Sequence, residues 1–405
     1  MSSPLEGIRV IDLAQMWAAP AAAMYLADQG AEVIKVEPLW GDDARRTFTL
    51  PPLPNGESRA FLPLNRNKLG ICVDIRHPAG REIIYRLVRT ADVLVHNFRP
   101  GVAERLGYDY PTLKALNPRL IYGWLTGYGS EGPYAGRGSY DLIIQAISGV
   151  LARRRRPDGM PMSSGIWVAD MSAAMLLAYG ITLALLARER TGEGTIVQTS
   201  LLQAALAMQF VDLVEVEREV RPERPVDFSA QAMYAPYRCA DGLYLILVVV
   251  QDAQWRRLCQ VLGVPELADE PRFATALGRA QNSAELYDIV AALFETRPRD
   301  EWIAELQAAD VPCAPILSPF EALHQPQVEV NRMVVDLDDP VAGRTRMVGT
   351  PVRLIGAPEI AHRRAPLPGE HTRRVLLDLG YTEAEISALE AENIIKCWRS
   401  ADDVS

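Results

Sequence analysis

Short apolar runs separated by amphipathic segments recur through the first third of the chain. The apolar runs, which predict strands, cover residues 8–13, 31–37, 70–75, 92–96 and 120–125. Helix-like spacing of apolar residues lies between them, at 20–29, 80–90 and 110–116. Strands that alternate with helices form parallel sheets with helices packed on them. The pattern therefore predicts an α/β domain of the doubly wound kind.

The pattern changes further along the chain. Residues 141–210 are rich in helix patterns and small side chains, and a charged, proline-containing stretch follows at 215–229. The elements predicted after it are a strand at 243–250 and helices at 254–262, 283–296, 300–309, 371–379 and 383–395. We predict a large domain from both chain ends, 1–214 and 326–405. A small α/β domain is predicted over 225–325, with 215–224 as a linker.

Composition excludes several classes of protein. A net charge of −9 without a basic tail argues against a nucleic-acid partner, because phosphate binding requires a positive surface. The first residues show neither the basic nor the apolar region of a signal peptide. The apolar run 171–187 contains polar residues and is shorter than a typical membrane span, so we expect a buried helix and no membrane partner.

Cysteine and histidine usage narrows the choice further. The five cysteines are scattered without a CxxC pair, which favours reduced thiols and a cytoplasmic location. The five histidines have no ligand spacing, so we expect no metal site. The turn after the first predicted strand, residues 12–20, lacks the GxGxxG pattern, which argues against a dinucleotide site.

Asp170 is the candidate for chemistry, because it stands at the start of the long apolar run. Aspartate is among the best residues for capping the N-terminus of a helix, so a structural interpretation is available. A helix N-terminus also favours an ionised carboxylate, and such a group beside an apolar wall can act as a nucleophile toward an acyl group. Small residues at 163–165 leave room for a ligand in front of it.

Six motifs in order resemble the family III CoA-transferases. They are LADQGAEVIKVEPLWGDDAR (26–45), NRNKLGICVDIRHPAGREI (65–83), ADVLVHNFRPGVAERLGYDYPTLKALNPRLIYGWLTGYGSEGPY (91–134), YDLIIQAISG (140–149), TGEGTIVQTSLLQAALA (191–207) and RAPLPGEHT (364–372). The resemblance implies a Rossmann-like large domain, a smaller middle domain and an interlocked dimer, either of identical chains or with a related chain. It implies a CoA thioester as substrate and no permanently bound cofactor.

The resemblance also implies roles for individual residues. Asp170 matches the family's nucleophile. The residues that match CoA-contacting motifs are Trp17, Ala18, Val73, Asp74, Arg76, Asn97, Phe98, Arg99, Arg105, Tyr140 and Asp141. Asp141 has a second interpretation, as the cap of the helix that follows it.

Further residues are candidates for substrate contacts. Gln15, or the backbone amides at 17 and 18, could stabilise an oxyanion, and Arg45 and Arg46 could bind a carboxylate. Phe48 could shape an acyl pocket or belong to the core, whereas Trp167 is assigned to packing. The arginine run 153–156 is either a solvated loop or an anion site.

Three functions remain open at this point. The first is transfer of CoA from succinyl-CoA or a similar donor to an acid such as malate, citramalate or mesaconate. The glycine-rich loop of formyl-CoA transferase is missing near 228–242, which argues against an oxalate-specific enzyme. The second is a 2-methylacyl-CoA racemase, disfavoured because Tyr140 stands where the racemases have histidine and tyrosine is a poor base. The third is a non-catalytic CoA-binding subunit.

Overall fold

The computed structural model describes residues 2–48, 51–156, 158–218 and 232–399. The chain divides into two compact units. The first comprises the residues up to Val214 and those from Glu329 onward, and the second comprises Glu215–Val328. Part of the predicted linker (219–224) and part of the segment 228–242 lie outside the described residues.

A seven-stranded sheet forms the centre of the first unit. Its strands are β1 (Arg9–Asp12), β2 (Glu32–Glu37), β3 (Lys68–Val73), β4 (Val93–His96), β5 (Ile121–Thr126), β6 (Ile196–Ser200) and β12 (Ile395–Lys396). They follow the order β12-β3-β2-β1-β4-β5-β6, and only β12 is antiparallel to its neighbour. The inner strands β2, β3 and β4 are almost entirely buried and rich in apolar residues, because helices cover both faces. The predicted α/β class with a large parallel sheet is confirmed.

Helices pack on both faces of this sheet. They are α1 (Ala18–Ala27), α2 (Phe61–Asn65), α3 (Pro78–Thr90), α4 (Val102–Leu106), α5 (Tyr110–Leu116), α6 (Asp141–Ile147), α7 (Val168–Thr191), α8 (Leu201–Ala207), α15 (Thr372–Asp378) and α16 (Glu383–Ala391). One core lies between the sheet and the alanine-rich faces of α1 and α7. The other lies beneath α3, α5, α15 and α16.

The helix α7 alone among the described helices is long and apolar enough to span a bilayer by length and composition. Half of its most apolar stretch is buried within this chain. Ala173, Ala174 and Leu177 face the core shared with α1, and the small side chains of both helices allow close packing.

The second unit has a core of its own. Its strands β7 (Tyr234–Arg238), β8 (Tyr244–Val248) and β9 (Cys313–Pro315) form an antiparallel sheet. Its helices are α9 (Asp252–Val261), α10 (Ala276–Gln281), α11 (Ser283–Phe294), α12 (Arg299–Ala308) and α13 (Pro319–Ala322). The helix α14 (Pro326–Val330) crosses the boundary, and a hairpin of β10 (Val334–Asp339) and β11 (Gly343–Val348) belongs to the first unit.

Candidate functional site

The carboxyl ends of β1 and β4 mark the place where the strand order reverses. In open α/β sheets, ligands bind in the crevice at such a point. The turn after β1 contributes Met16, Trp17 and Ala18, and the turn after β4 contributes 97–99. Together with 46–48, 139–142 and Asp170, they line a cavity of about 710 Å³. We call this the main cavity.

Asp170 lies in the first turn of α7, whose N-cap residue is Trp167 rather than Asp170. The capping interpretation of Asp170 is therefore wrong. Its side chain is partly buried at the wall of the main cavity. Burial raises the pKa of Asp170 to about 7, and the neighbouring charge of Asp141 contributes in the same direction. A carboxylate with a raised pKa is more basic and a better nucleophile than an ordinary one, so Asp170 is suited to attack a carbonyl.

Asp141 is the residue that caps α7, although it begins a different helix, α6. Its Oδ2 accepts hydrogen bonds from the N–H groups of Ala169 (2.8 Å) and Asp170 (3.0 Å). Its Oδ1 accepts from the amide of Gln145, which also donates to the carbonyl of Ile166 at 3.1 Å. Asp141 is 2% exposed, so this buried carboxylate fixes the turn that carries Asp170.

Three aromatic rings form one wall of the main cavity. The ring centroids of Trp17, Phe48 and Trp167 are 4.6 to 5.4 Å apart, within the range of favourable aromatic contacts. Phe48 lies at this wall, as one of its two interpretations predicts. Trp167 packs as predicted, but the packing surface is the cavity wall next to Asp170.

Three arginines line the main cavity. Arg99 has no hydrogen-bond acceptor among the described residues, Arg46 donates to the carbonyl of Trp40 at 2.6 Å, and Arg137 stacks on Tyr134. Sequence analysis missed Arg137, although it lies three residues before Tyr140, where one of the family motifs begins. These cations give the cavity the charge to hold an anionic ligand.

Arg45 lies elsewhere. It is 3% exposed, forms two hydrogen bonds of 2.8 Å with Glu37, and lies 3.6 Å from the ring centroid of Phe61. Because its donors are occupied inside the protein, Arg45 is a structural residue, and the carboxylate-binding role predicted for it is not supported.

Three other predicted CoA contacts, Val73, Asp74 and Arg76, line a second cavity of about 220 Å³. Gln15, predicted as a substrate contact, belongs to the same wall. The side chain of Asn97 accepts from the N–H of Gln15 (3.1 Å) and donates to its carbonyl (2.7 Å), so this pair links the walls of the two cavities.

Two further predictions fall outside both cavities. Arg105 is on α4 and lines neither of them. In the arginine run, Arg153 pairs with Gln209 and Asp212 at 2.8 Å, and Arg154 donates to the carbonyl of Ser164. None of the described side chains of that run lines the main cavity. Within the described part of the chain, no group of three or more His, Cys, Asp or Glu residues is arranged to hold a metal ion.

Comparison with known proteins gives consistent matches along the chain. Residues 5–372 match the family model described as CoA-transferase family III. A succinyl-CoA:glutarate CoA-transferase of Mus musculus is 35% identical over 398 residues, covering 97% of this chain and 90% of the relative. A formyl-CoA:oxalate CoA-transferase of Streptomyces coelicolor is 32% identical over 409 residues, covering 96% and 99%. The crystal structure of a CAIB/BAIF family protein from Brucella suis superposes with a TM-score of 0.81 at 34% identity, covering 94% and 100%.

Proposed function

This chain belongs to CoA-transferase family III, and from that membership we propose that it moves CoA from succinyl-CoA, or a similar short dicarboxylyl-CoA, to a small dicarboxylic acid through a covalent intermediate on Asp170. The observation that carries the proposal is the partly buried carboxylate of Asp170 at the main cavity, whose pKa is raised to about 7 by desolvation and by the charge of Asp141.

The chemistry proceeds by exchange of activated acyl groups. An Asp170 oxygen attacks the thioester carbonyl, the C–S bond breaks, and a mixed anhydride and a CoA thiolate result. The thiolate attacks the Asp170 carbonyl, which releases the donor acid and leaves an aspartyl-CoA thioester. The acceptor carboxylate then displaces the thiolate to form a second anhydride, and the thiolate attacks the acceptor's carbonyl. The new acyl-CoA leaves, and Asp170 is again a free carboxylate, so no net proton, electron or ATP is consumed.

The backbone at the start of α1 is the best source of oxyanion donors. No side chain caps this helix, and its first-turn N–H groups lack intrahelical acceptors. Trp17 and Ala18 line the main cavity with Asp170, whereas Gln15 lines the smaller one. Donors held in place before the reaction stabilise the developing negative charge at little reorganisation cost.

The arginines support a dicarboxylate as acceptor. A second carboxylate on the acceptor requires a cationic partner in the main cavity, and Arg99 has a guanidinium group with no described acceptor. The name of the mouse relative includes succinyl-CoA and glutarate, and both carry a carboxylate at the end away from the reacting group. Malate, citramalate and mesaconate, the acceptors considered from the sequence, are also dicarboxylates and belong to the same proposal.

A second copy of this chain is the proposed partner. Met175, Tyr179, Leu183 and Leu186 form an exposed apolar stripe along α7, and Leu142, Ile143 and Ile147 of α6 are exposed as well. A surface patch of this kind marks a protein interface. We further propose a cytoplasmic location, which the five free thiols support.

The test is to trap the covalent intermediate. The protein is incubated with succinyl-CoA, treated with borohydride or hydroxylamine, and mapped by peptide mass spectrometry. Modification of the Asp170 peptide, absent in Asp170→Asn and retained in Asp43→Asn, would support the proposal; Asp43 lines the same cavity and serves as the matched control. Glutarate, malate and oxalate are then compared as acceptors. No adduct with a range of short acyl-CoA donors would contradict the transferase mechanism. Solvent deuterium appearing in a 2-methylacyl-CoA would then favour the racemase, and its absence a CoA-binding subunit.

A further inference from the structure

Two fully buried ion pairs lie beneath the turn that connects β1 to α1. Lys35 pairs with Asp42 at 2.6 Å and Lys68 pairs with Asp12 at 2.8 Å, and all four side chains are 0% exposed. Buried ion pairs are costly, because desolvation offsets most of the attraction between the charges. Their presence in the core therefore requires an explanation other than stability alone.

The charges bind the backbone of this turn at several points. Asp42 Oδ1 accepts from the N–H of Met16 at 3.0 Å, and the Lys35 ammonium donates to the carbonyl of Ala14. Asp12 Oδ1 accepts from the N–H of Ala14 at 3.0 Å. Hydrogen bonds from both ion pairs thus hold the backbone of the turn 14–18 in place.

Lys68 also anchors the helix that follows. Its ammonium donates to the carbonyl of Pro20 (2.8 Å) and to the side-chain oxygen of Asn65 (2.9 Å), in addition to Asp12. Three acceptors around one nitrogen match the three protons of an ammonium group. The first turn of α1 is therefore fixed by a charge rather than by a capping side chain.

The turn that these charges hold has a strained backbone. Met16 adopts φ of 69°, a left-handed conformation that is unfavourable for a residue with a side chain. Such strain persists where surrounding structure determines it, and it concentrates at functional sites. Met16, Trp17 and Ala18 line the main cavity together with Asp170.

We propose that the Lys35–Asp42 and Asp12–Lys68 pairs are positioning groups that hold the Trp17 and Ala18 amides where the thioester carbonyl reacts with Asp170. The inference rests on the proposed function. It adds four residues that touch neither CoA nor the acyl group. Because misplacement by about 1 Å can reduce a rate about a hundredfold, loss of the charges should slow acylation more than it weakens CoA binding.

The test compares matched variants at the two ends of α1. Asp42→Asn removes one charge but retains an oxygen for the Met16 and Ala44 amides. Lys35→Met combined with Asp42→Asn removes both charges and leaves no unpaired buried ion, in case the single variant folds poorly. The control is Asp28→Asn. Asp28 lies at the other end of the helix, about 15 Å away, where it forms an equally buried pair with Arg66 at 2.6 Å.

Three measurements are made on each folded variant: CoA affinity by calorimetry, the single-turnover rate of Asp170 acylation by succinyl-CoA, and hydrogen exchange of the peptide 13–19. In both Asp42 variants we expect acylation to be at least about tenfold slower and hydrogen exchange of the peptide 13–19 to be faster, with CoA affinity within about threefold of the parent. In Asp28→Asn we expect the acylation rate of the parent. An unchanged acylation rate in the Asp42 variants would overturn the inference. So would an equal reduction of the acylation rate in Asp28→Asn, if that variant and the Asp42 variants lose the same thermal stability.

If the unmodified protein forms no adduct, the proposed function fails separately. Hydrogen exchange then decides the inference alone. Faster exchange at 13–19 in the Asp42 variants than in Asp28→Asn supports the positioning role, and equal exchange refutes it.

Discussion

Removal of the Asp141 charge should shift the pH dependence of the reaction without dismantling the site. Asparagine is as good a helix cap as aspartate, so Asp141→Asn can still accept from the Ala169 and Asp170 amides. What it removes is the negative charge that helps to raise the pKa of Asp170. The pKa of Asp170 is therefore expected to fall in this variant.

The size of the shift follows from the causes of the raised pKa. The pKa of Asp170 is raised from 3.8 to about 7, and burial is the larger of the two causes. Asp141 therefore accounts for less than half of a shift of about three units, and we expect the midpoint to fall by about 0.5 to 1.5 units. Arg46, Arg99 and Arg137 face the same cavity and are unchanged in the variant, as are Asp43 and Tyr140.

The assay is the pH profile of kcat/KM for succinyl-CoA, which reports ionisation in the free enzyme. In the parent protein kcat/KM should rise to a plateau with a midpoint near pH 7. At pH 6 the parent would retain about a tenth of its plateau value, and Asp141→Asn about half if its midpoint is near 6. Asp43→Asn is the control for a general change in cavity charge. Identical midpoints in the parent and Asp141→Asn would refute the electrostatic role of Asp141.

Three further predictions test other parts of the structure. Asp170→Asn should abolish transfer yet raise the unfolding temperature at pH 8. The pKa of Asp170 is about 7 in the folded protein and lies above the pKa in the unfolded chain, so the ionised carboxylate destabilises the fold. The stability gained by Asp170→Asn is therefore absent below about pH 4 and complete above pH 7. A lower unfolding temperature of the variant at pH 8 would contradict this. Burial lowers the pKa of His96 to about 3. The unfolded chain therefore binds a proton that the folded protein does not, and the free energy of unfolding should decrease as the pH falls from about 6.5 towards 3. His96→Phe should flatten that slope in urea titrations, and an unchanged slope would count against it. Gly127→Ala places a Cβ against the Ser139 side chain and should reduce kcat several-fold, whereas Gly136→Ala meets nothing within 4 Å; equal activity of the two variants would disprove the close contact.

The elements that the sequence predicted well are those with strong local patterns. The parallel strands in the middle of the sheet are buried on both faces, so β3 and β4 are mainly apolar, with Lys68 and His96 only at their ends. The helix predicted at 110–116 coincides with α5 because proline and an Asp109 cap mark its start.

The missed strands lack such patterns. β6 is an edge strand with polar residues and partly exposed side chains, and α8 begins at the next residue. β12 has two residues and exists only because it pairs with β3. Pairing of this kind is a tertiary property that a local pattern does not contain.

The same distinction applies to the site. Asp170 could be identified because its neighbourhood in the sequence resembles that of known nucleophiles. The capping role of Asp141 depends on a residue that is 28 positions later in the chain, and no local spacing reveals such a contact. Arg45 and Arg46 are adjacent in sequence, yet one is buried against Glu37 and the other lines the main cavity.

The late arrival of β12 has a consequence for synthesis of the protein. The outer edge of β3 is completed by segments translated about 300 residues later: the Thr372 hydroxyl accepts from the Cys72 amide, and Lys396 pairs with Cys72. While the ribosome translates the second unit, this edge has no partner from its own chain. Unpaired edges invite association with other chains, and domains that require distant segments fold slowly. A nascent chain of this kind therefore benefits from shielding, by a chaperone or by the ribosome surface, until residues 372–396 emerge.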